Sequence, residues 1–487
     1  MKQQIQIIIP DNKYCIIKSD DYELLRAIDR QFSYKQEGIM WSRAVQTGRW
    51  DGTTHLLQKN KLPLGLLEQL KNFLATMGYE ALIDDHRPEL VIEPEIDLKG
   101  KLAQLGTPLR DYQERIVDVA FRERKGIVRS CTGSGKTLAI SALIAKLNQP
   151  TNVYVVGLDL LGQFHRTLSE LFDEEIGFIG NGVCITKRIN VISVWTAGRV
   201  LGLKKDIIDD ESTGKEVLKA ENNAAIINAL KQTPNHIFDE SHIVSCHTIR
   251  EIFKIIDPVR VYGFSGTPFR DDGTQPYAEG WLGPMIIDVS ASELIEKGHL
   301  AKPYIKFIPV AKKKIESQDY HSVYRDYIVE NEQRNGLVVH HTKLLLAKGY
   351  RTLILFKNIR HGEILQQMMI DSGIEVEMLS GQDSLEQRDK VKEKMQSGEL
   401  KVILASVIFD IGVDLTSLSA MILAGGGVSS LRCRQRVGRA IRKYPGKDRV
   451  AIIEFADDAK YLKQHSRKRY ETYKSEDGFV VRWIDEK

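Results

Sequence analysis

Apolar residues along this chain change period as it proceeds, and each change marks an element. From residue 125 onward, short and nearly continuous apolar runs alternate with stretches whose apolar positions recur every three or four residues. Gly126-Ile127-Val128 is one such run, and Leu138-Ala139-Ile140-Ser141-Ala142-Leu143-Ile144 is the helix-like stretch after it. Residues 152–157 read as a strand and 160–171 as a helix. Residues 191–194 read as a strand ending in Trp195-Thr196, and 259–264 as another. Farther on, strands are expected at 352–356, 375–379, 401–405 and 420–423, with helices at 359–372 and 385–396. Alternation of this kind predicts an α/β architecture of doubly wound parallel sheets, whose active groups gather at the C-terminal ends of the strands.

The flanking segments follow other patterns. Residues 1–95 read as a small α+β unit: Ile5 to Ile9 is strand-like, Asp20 or Asp21 caps a helix through Leu24, Leu25 and Ile28, and Asp51-Gly52 is a turn signal. Here Trp41 and Trp50 are interleaved with Arg43 and Arg49. Such aromatics serve either as core anchors or as a surface on which bases stack beside phosphate-binding arginines. Residues 85–107, polar and carrying Pro and Gly, read as a linker. Residues 202–232 are charged and helix-prone, and are expected to form a surface insertion. The domain division read from these shifts is 1–95, 96–300 and 301–487.

The chemistry begins at Ser130-Cys131-Thr132-Gly133-Ser134-Gly135-Lys136-Thr137, between a strand and a helix. Glycines let the backbone of Thr132, Gly133, Ser134 and Gly135 curl so that its N–H groups point inward, where a helix N-terminus adds positive potential. Lys136 would reach the β/γ-phosphates of ATP, and Thr137 would place its hydroxyl on Mg²⁺. Ser130 stands where the usual pattern has glycine. Upstream, Gln113 can read an adenine edge with support from Arg110 and Tyr112. Downstream, Asp239 and Glu240 end an apolar strand in His236-Ile237-Phe238-Asp239-Glu240-Ser241-His242. Asp239 would hold Mg²⁺ through water, and Glu240 would orient and deprotonate the attacking water. His242 is expected to couple them to Ser265-Gly266-Thr267-Pro268. Near the C-terminus, Gln435 to Arg442 reads as a helix on which Arg439 and Arg442 share a face, as arginine fingers would.

Composition narrows the rest. The 487 residues carry 69 Lys+Arg against 65 Asp+Glu, so nucleic acid would be met by local patches rather than by net charge. The five cysteines form no C-x-x-C pair, which argues against a disulfide framework or structural zinc and for a reducing compartment. No apolar run reaches the ~18 residues of a membrane span, and the first residues lack a signal-peptide core, so a cytoplasmic protein is expected.

In this order the residues resemble the superfamily 2 helicases. The loop at Lys136 corresponds to their first motif, Asp239-Glu240-Ser241-His242 to a DEAH-type second, and Ser265-Gly266-Thr267 to a third. Asp410-Ile411-Gly412-Val413-Asp414 resembles the fifth and Gln435 to Arg442 the sixth. Arg49-Trp50-Asp51-Gly52, Pro63-Leu64-Gly65-Leu66, Phe356-Lys357-Asn358 and His361-Gly362 are similar to the UvsW-like family of phage recombination helicases. That resemblance implies two tandem RecA-like domains behind the small N-terminal one. It implies an ATP- and Mg²⁺-dependent motor on branched DNA: Holliday junctions, forks, D-loops and R-loops, with RNA met in the last. It also implies Gly412, Asp414 and Gln435 at the nucleotide, DNA contacts from Thr196, Arg199, Ser380, Thr416 and Trp50, and work beside other recombination or replication proteins in a host cytoplasm. Three other readings stay open: a duplex translocase of a restriction-type complex, an ATP-gated clamp or RNA helicase, and a P-loop kinase.

Overall fold

The computed structural model describes residues 3–203, 220–243, 247–269, 272–312, 319–381, 383–406, 417–427 and 430–484. The chain forms two compact units, one of residues 1–130 and 135–289, the other of residues 131–134 and 290–487.

The first unit holds the N-terminal segment and a doubly wound sheet. At the N-terminus, four strands lie in the order Lys61–Pro63, Tyr14–Lys18, Gln3–Ile9, Tyr79–Asp85. Asp21 caps the helix Tyr22–Gln31 by accepting from Glu23 and Leu24 N–H, which satisfies two orphan donors of its first turn. The large sheet orders Val183–Ile185, Gly177–Gly180, Ile189–Ser193, Thr151–Val155, Asn235–Asp239, Arg260–Ser265, Lys125–Ser130 and Met285–Val289. Only the Val183–Ile185 edge runs antiparallel to its neighbour. The central strands are buried on both faces, which is why their sequences run apolar without alternation.

Two expected surface segments are core-forming instead. In the stretch read as an insertion, residues 204–219 lie outside the described residues, but Ala220–Gln232 is a helix whose Ile226 and Leu230 are fully buried. Spaced four apart, they share one helical face, and that face was hidden in the sequence by the charges before it. Within the stretch read as a linker, Leu98–Gln104 forms a helix with Leu98 and Leu102 buried. Trp195 and Thr196 do not end a strand either; they begin the helix Val194–Val200.

The second unit carries seven strands in the order Glu377–Leu379, Val402–Ser406, Thr352–Phe356, Ala420–Leu423, Arg449–Asp457, Lys302–Val310 and Val480–Trp483, all parallel. The helices Ile359–Asp371 and Leu385–Ser397 fall where the pattern placed them. Among the described residues, no helix is long and apolar enough to cross a membrane.

Candidate nucleotide site

Three neighbouring strands of the first unit deliver the site. Lys125–Ser130, Arg260–Ser265 and Asn235–Asp239 lie side by side, so their C-terminal ends bring the Gly-rich loop, Ser265 and the acidic pair to one edge. The loop turns at Gly133 (φ +89°) and Gly135 (φ +76°), and Gly135 leads directly into the helix Lys136–Leu147. Side chains rarely adopt these angles, so glycine is required for the curl.

Gln113 supports the loop from below. It is 3% exposed; its Oε1 accepts from Arg110 N–H at 2.9 Å, and its Nε2 donates to Gly135 carbonyl at 3.3 Å. Both ends of the amide therefore engage backbone, and a Cβ on Gly135 would lie 2.5 Å from Nε2. Arg110 in turn donates to the Tyr112 hydroxyl at 3.1 Å.

The charged centre is compact. Lys136 Nζ stands 3.8 Å from Glu240 Oε1, and His242 Nδ1 stands 3.3 Å from Glu240 Oε2. Ser265 Oγ donates to Glu240 Oε2 at 3.1 Å and accepts from Thr267 N–H at 3.1 Å, so the end of one strand is tied to the acid of the next. Burial raises the Glu240 pKa, but Lys136 and the contacts from His242 and Ser265 outweigh it and hold the carboxyl below its ordinary range. Asp239 moves the other way: burial and then the charge of Glu240 push it up. Asp239 is 5% exposed, and its Oδ1 has no hydrogen-bond partner among the described residues. A buried carboxylate oxygen without a donor is costly, and it suits a metal ion or its bound water. Thr137 lies in the first turn of the helix Lys136–Leu147, one residue after Lys136.

In the second unit, the helix carrying Gln435 and Arg439 spans Ser430–Ala440. Arg442 lies past its end, where Leu300 and Arg442 form a β-bridge and Ala301 N–H donates to Ile441 carbonyl at 2.8 Å. Arg439 and Arg442 thus do not share a helical face, and strand-like backbone rather than helical spacing aims the second guanidinium. Residues 131–134 belong to this unit: an added Cβ would lie 2.4 Å from Thr132 Cβ at Gly438, and 3.0 Å from Arg442 Cγ at Gly133.

The residues expected to touch DNA fare differently. Gly412, Asp414 and Thr416 lie outside the described residues. Thr196 is fully buried, which leaves its side chain no surface for a phosphate, while Arg199 on the same helix is half-buried. Ser380 is 7% exposed and its hydroxyl donates to Asp383 Oδ2 at 3.1 Å, closing a turn. Trp50 is half-buried, and its indole N–H donates to Thr53 carbonyl at 2.7 Å. Of the two tryptophans, Trp41 is the one that reaches solvent, at 81% exposed. Trp50, expected to meet DNA, is thus tied back to its own turn, and Trp41 is the tryptophan left on the surface.

Three family models match the chain in order. "DNA helicase UvsW, N-terminal" covers residues 4–84, "Type III restriction enzyme, res subunit" residues 106–270, and "Helicase conserved C-terminal domain" residues 337–444. The "ATP-dependent DNA helicase uvsW" of Enterobacteria phage T4 is 23% identical over 471 residues, which is 90% of this chain and 88% of that protein. The "DNA 3'-5' translocase XPB2" of Sulfurisphaera tokodaii is 26% identical over 388 residues, 71% of this chain and 80% of that protein. Among solved structures, S. cerevisiae Dbp5 bound to RNA and ADP BeF3 has the same tandem fold, with a TM-score of 0.54 at 17% identity over 81% of this chain and 94% of that one.

Proposed function

We propose that the chain is an ATP-dependent DNA helicase of the UvsW-like superfamily 2 family and that it migrates branch points: Holliday junctions, forks, D-loops and R-loops. The observation that carries the nucleotide half of this reading is the Lys136–Glu240–Ser265 cluster beside the unpartnered Oδ1 of Asp239. The N-terminal module at residues 4–84 supports the branched-DNA half.

Each residue's part follows from its chemistry. A triphosphate carries more negative charge than one carboxylate, so it draws the Lys136 ammonium off Glu240 and onto its own β/γ-oxygens. Glu240, held ionised, is then free to orient water and take its proton, while Ser265 keeps its carboxylate aimed. Thr137 and Asp239 would hold Mg²⁺, which when bound neutralises charge on the β/γ-phosphate oxygens. By their place in the motif, Arg439 and Arg442 are the guanidiniums proposed to complete the γ-phosphate's surroundings. Arg199 meets the DNA backbone.

Two variants test the site. Lys136→Ala should abolish DNA-stimulated ATP turnover together with Holliday-junction migration. Glu240→Gln should lower kcat about 10²- to 10⁴-fold with ATP binding retained. A wild-type protein that hydrolyses ATP on four-way junctions yet moves no branch point overturns the branch-migration reading. The match to a restriction-enzyme subunit and the similarity to a translocase favour a second reading, translocation along duplex without strand separation. Displacement of a triplex-forming strand by a protein that leaves forks and junctions intact would select it.

A further inference from the structure

Residues 36–52 form a small folded turn whose outermost feature is apolar. Gly38, at φ +79°, starts a 3₁₀ turn over Ile39–Trp41, and Ser42 then caps the short helix Arg43–Gln46. Gly52 closes the turn from beneath: a Cβ there would lie 3.2 Å from Ile39 Cγ2 and 3.4 Å from Val45 Cγ2. Ile39 and Val45 thus face inward, while Met40 (60% exposed) and Trp41 (81% exposed) project outward. An indole left this bare on an ordered turn is unusual, since tryptophan is highly buried on average. Arg43 and Arg49, on the same turn, are exposed, and neither makes an ion pair among the described residues.

The turn is fastened to the unit that carries the nucleotide residues. Glu37 N–H donates to Asp272 carbonyl at 2.8 Å, and Gln36 Nε2 donates to Asp272 Oδ2 at 3.2 Å. At Gly273 (φ +78°) a Cβ would stand 3.1 Å from Lys35 carbonyl, so the two backbones meet closely. Asp272 follows the Ser265-Gly266-Thr267 stretch, whose first residue bonds Glu240.

We propose that Trp41, on a turn that also carries Arg43 and Arg49, is a stacking platform for an unpaired base of the DNA strand at a branch point. The occupant follows from size and charge. Two projecting side chains offer far less than the ~800 Å² per partner of a stable protein interface, but one indole face matches one base. Guanidiniums without acidic partners among the described residues suit the phosphates of that strand. The proposal rests on the reading of the chain as a motor on branched DNA.

The test uses the full chain and its affinity for a fork with single-stranded arms, compared with a duplex of equal length, by fluorescence anisotropy without nucleotide. Trp41→Ala should weaken fork binding about 5- to 150-fold and leave duplex binding unchanged, while Trp41→Phe keeps most of the fork affinity. The melting temperature should not move, because the ring packs against little. Equal fork affinity in Trp41→Ala and wild type overturns the proposal, as does equal loss on fork and duplex. Conversion of a self-associated protein to monomer with DNA binding intact would assign the tip to self-contact and overturn it too. Because binding is read without ATP, failure here is distinguishable from failure of branch migration, which would show as intact Trp41-dependent fork binding with no junction movement.

Discussion

Glu240 sits at φ +60°, outside the space most side chains adopt, at a cost of about 1–3 kcal/mol. The contacts from Lys136, His242 and Ser265 over-determine that conformation, and together they point the carboxylate at the strand ends. Farther back on the same strand, His236 shows a different use of burial. Its Nδ1 lies 2.8 Å from the Tyr154 hydroxyl and its Nε2 lies 2.8 Å from Thr233 carbonyl. With Nε2–H donating to the carbonyl, Nδ1 accepts from the hydroxyl, and a second ring proton would have to reverse that bond. Burial lowers the pKa from 6.5 to about 4. Above pH 6.5 neither the folded nor the unfolded chain protonates this histidine. Between there and pH 4 the unfolded chain binds a proton that the folded one refuses, so stability falls as pH falls. At pH 5 the loss from this residue is about 2 kcal/mol. Urea unfolding at pH 7 and pH 5 should show that difference in the wild type, and His236→Asn should lack that share of it.

At the scale of elements, residues 424–427, which follow the strand Ala420–Leu423, are held by buried polar and charged side chains. Arg334 pairs with Asp457 at 2.7 Å and donates to Ala424 carbonyl at 2.8 Å. Arg469 pairs with Glu454 at 3.0 Å and donates to Gly427 carbonyl at 2.7 Å, and the Tyr473 hydroxyl takes the other Glu454 oxygen at 2.9 Å. Tyr324 grips Gly425 carbonyl at 2.8 Å. Removing one partner leaves a buried charge uncompensated, so Arg469→Met should destabilise the chain by about 3–5 kcal/mol, read by urea denaturation. Replacing Arg469 and Glu454 together with apolar residues should recover much of that loss, because no lone charge then remains.

On the scale of the whole molecule, the N-terminal segment and the large sheet of the first unit share one apolar core. Tyr14 packs edge-on to Trp281 with ring centroids 5.5 Å apart, and Arg250 lies 4.5 Å above the Tyr277 ring while approaching the Tyr34 hydroxyl. Gly65 marks the tightest approach, where a Cβ would stand 2.1 Å from Glu279 carbonyl. That contact is to backbone, which cannot swing aside. Gly65→Ala should therefore lower the melting temperature and speed proteolysis between the N-terminal segment and the sheet, whereas Gly78→Ala, with nothing within 4 Å of its Cβ, leaves the packing intact and strains only its own turn. A Gly65→Ala protein melting as the wild type does would show that the two parts are joined more loosely.

Local pattern alone was enough for the phosphate loop, the acidic pair and most central strands, because a curled Gly-rich turn and a doubly buried strand each impose a short-range signature on the residues that form them. The resemblance to the superfamily 2 helicases was legible for the same reason, since the motifs that carry it are short and ordered. Packing decided the rest. Whether Ala220–Gln232 is surface or core depends on what covers Ile226 and Leu230, and whether Thr196 meets solvent depends on the helix it starts. Gln113 spans two backbone groups because the loop comes to it from 22 residues away. Of two tryptophans with the same arginine-rich flanks, one bonds its own turn and the other faces outward, a choice made by the fold around Gly52 and by no feature of the tryptophans themselves.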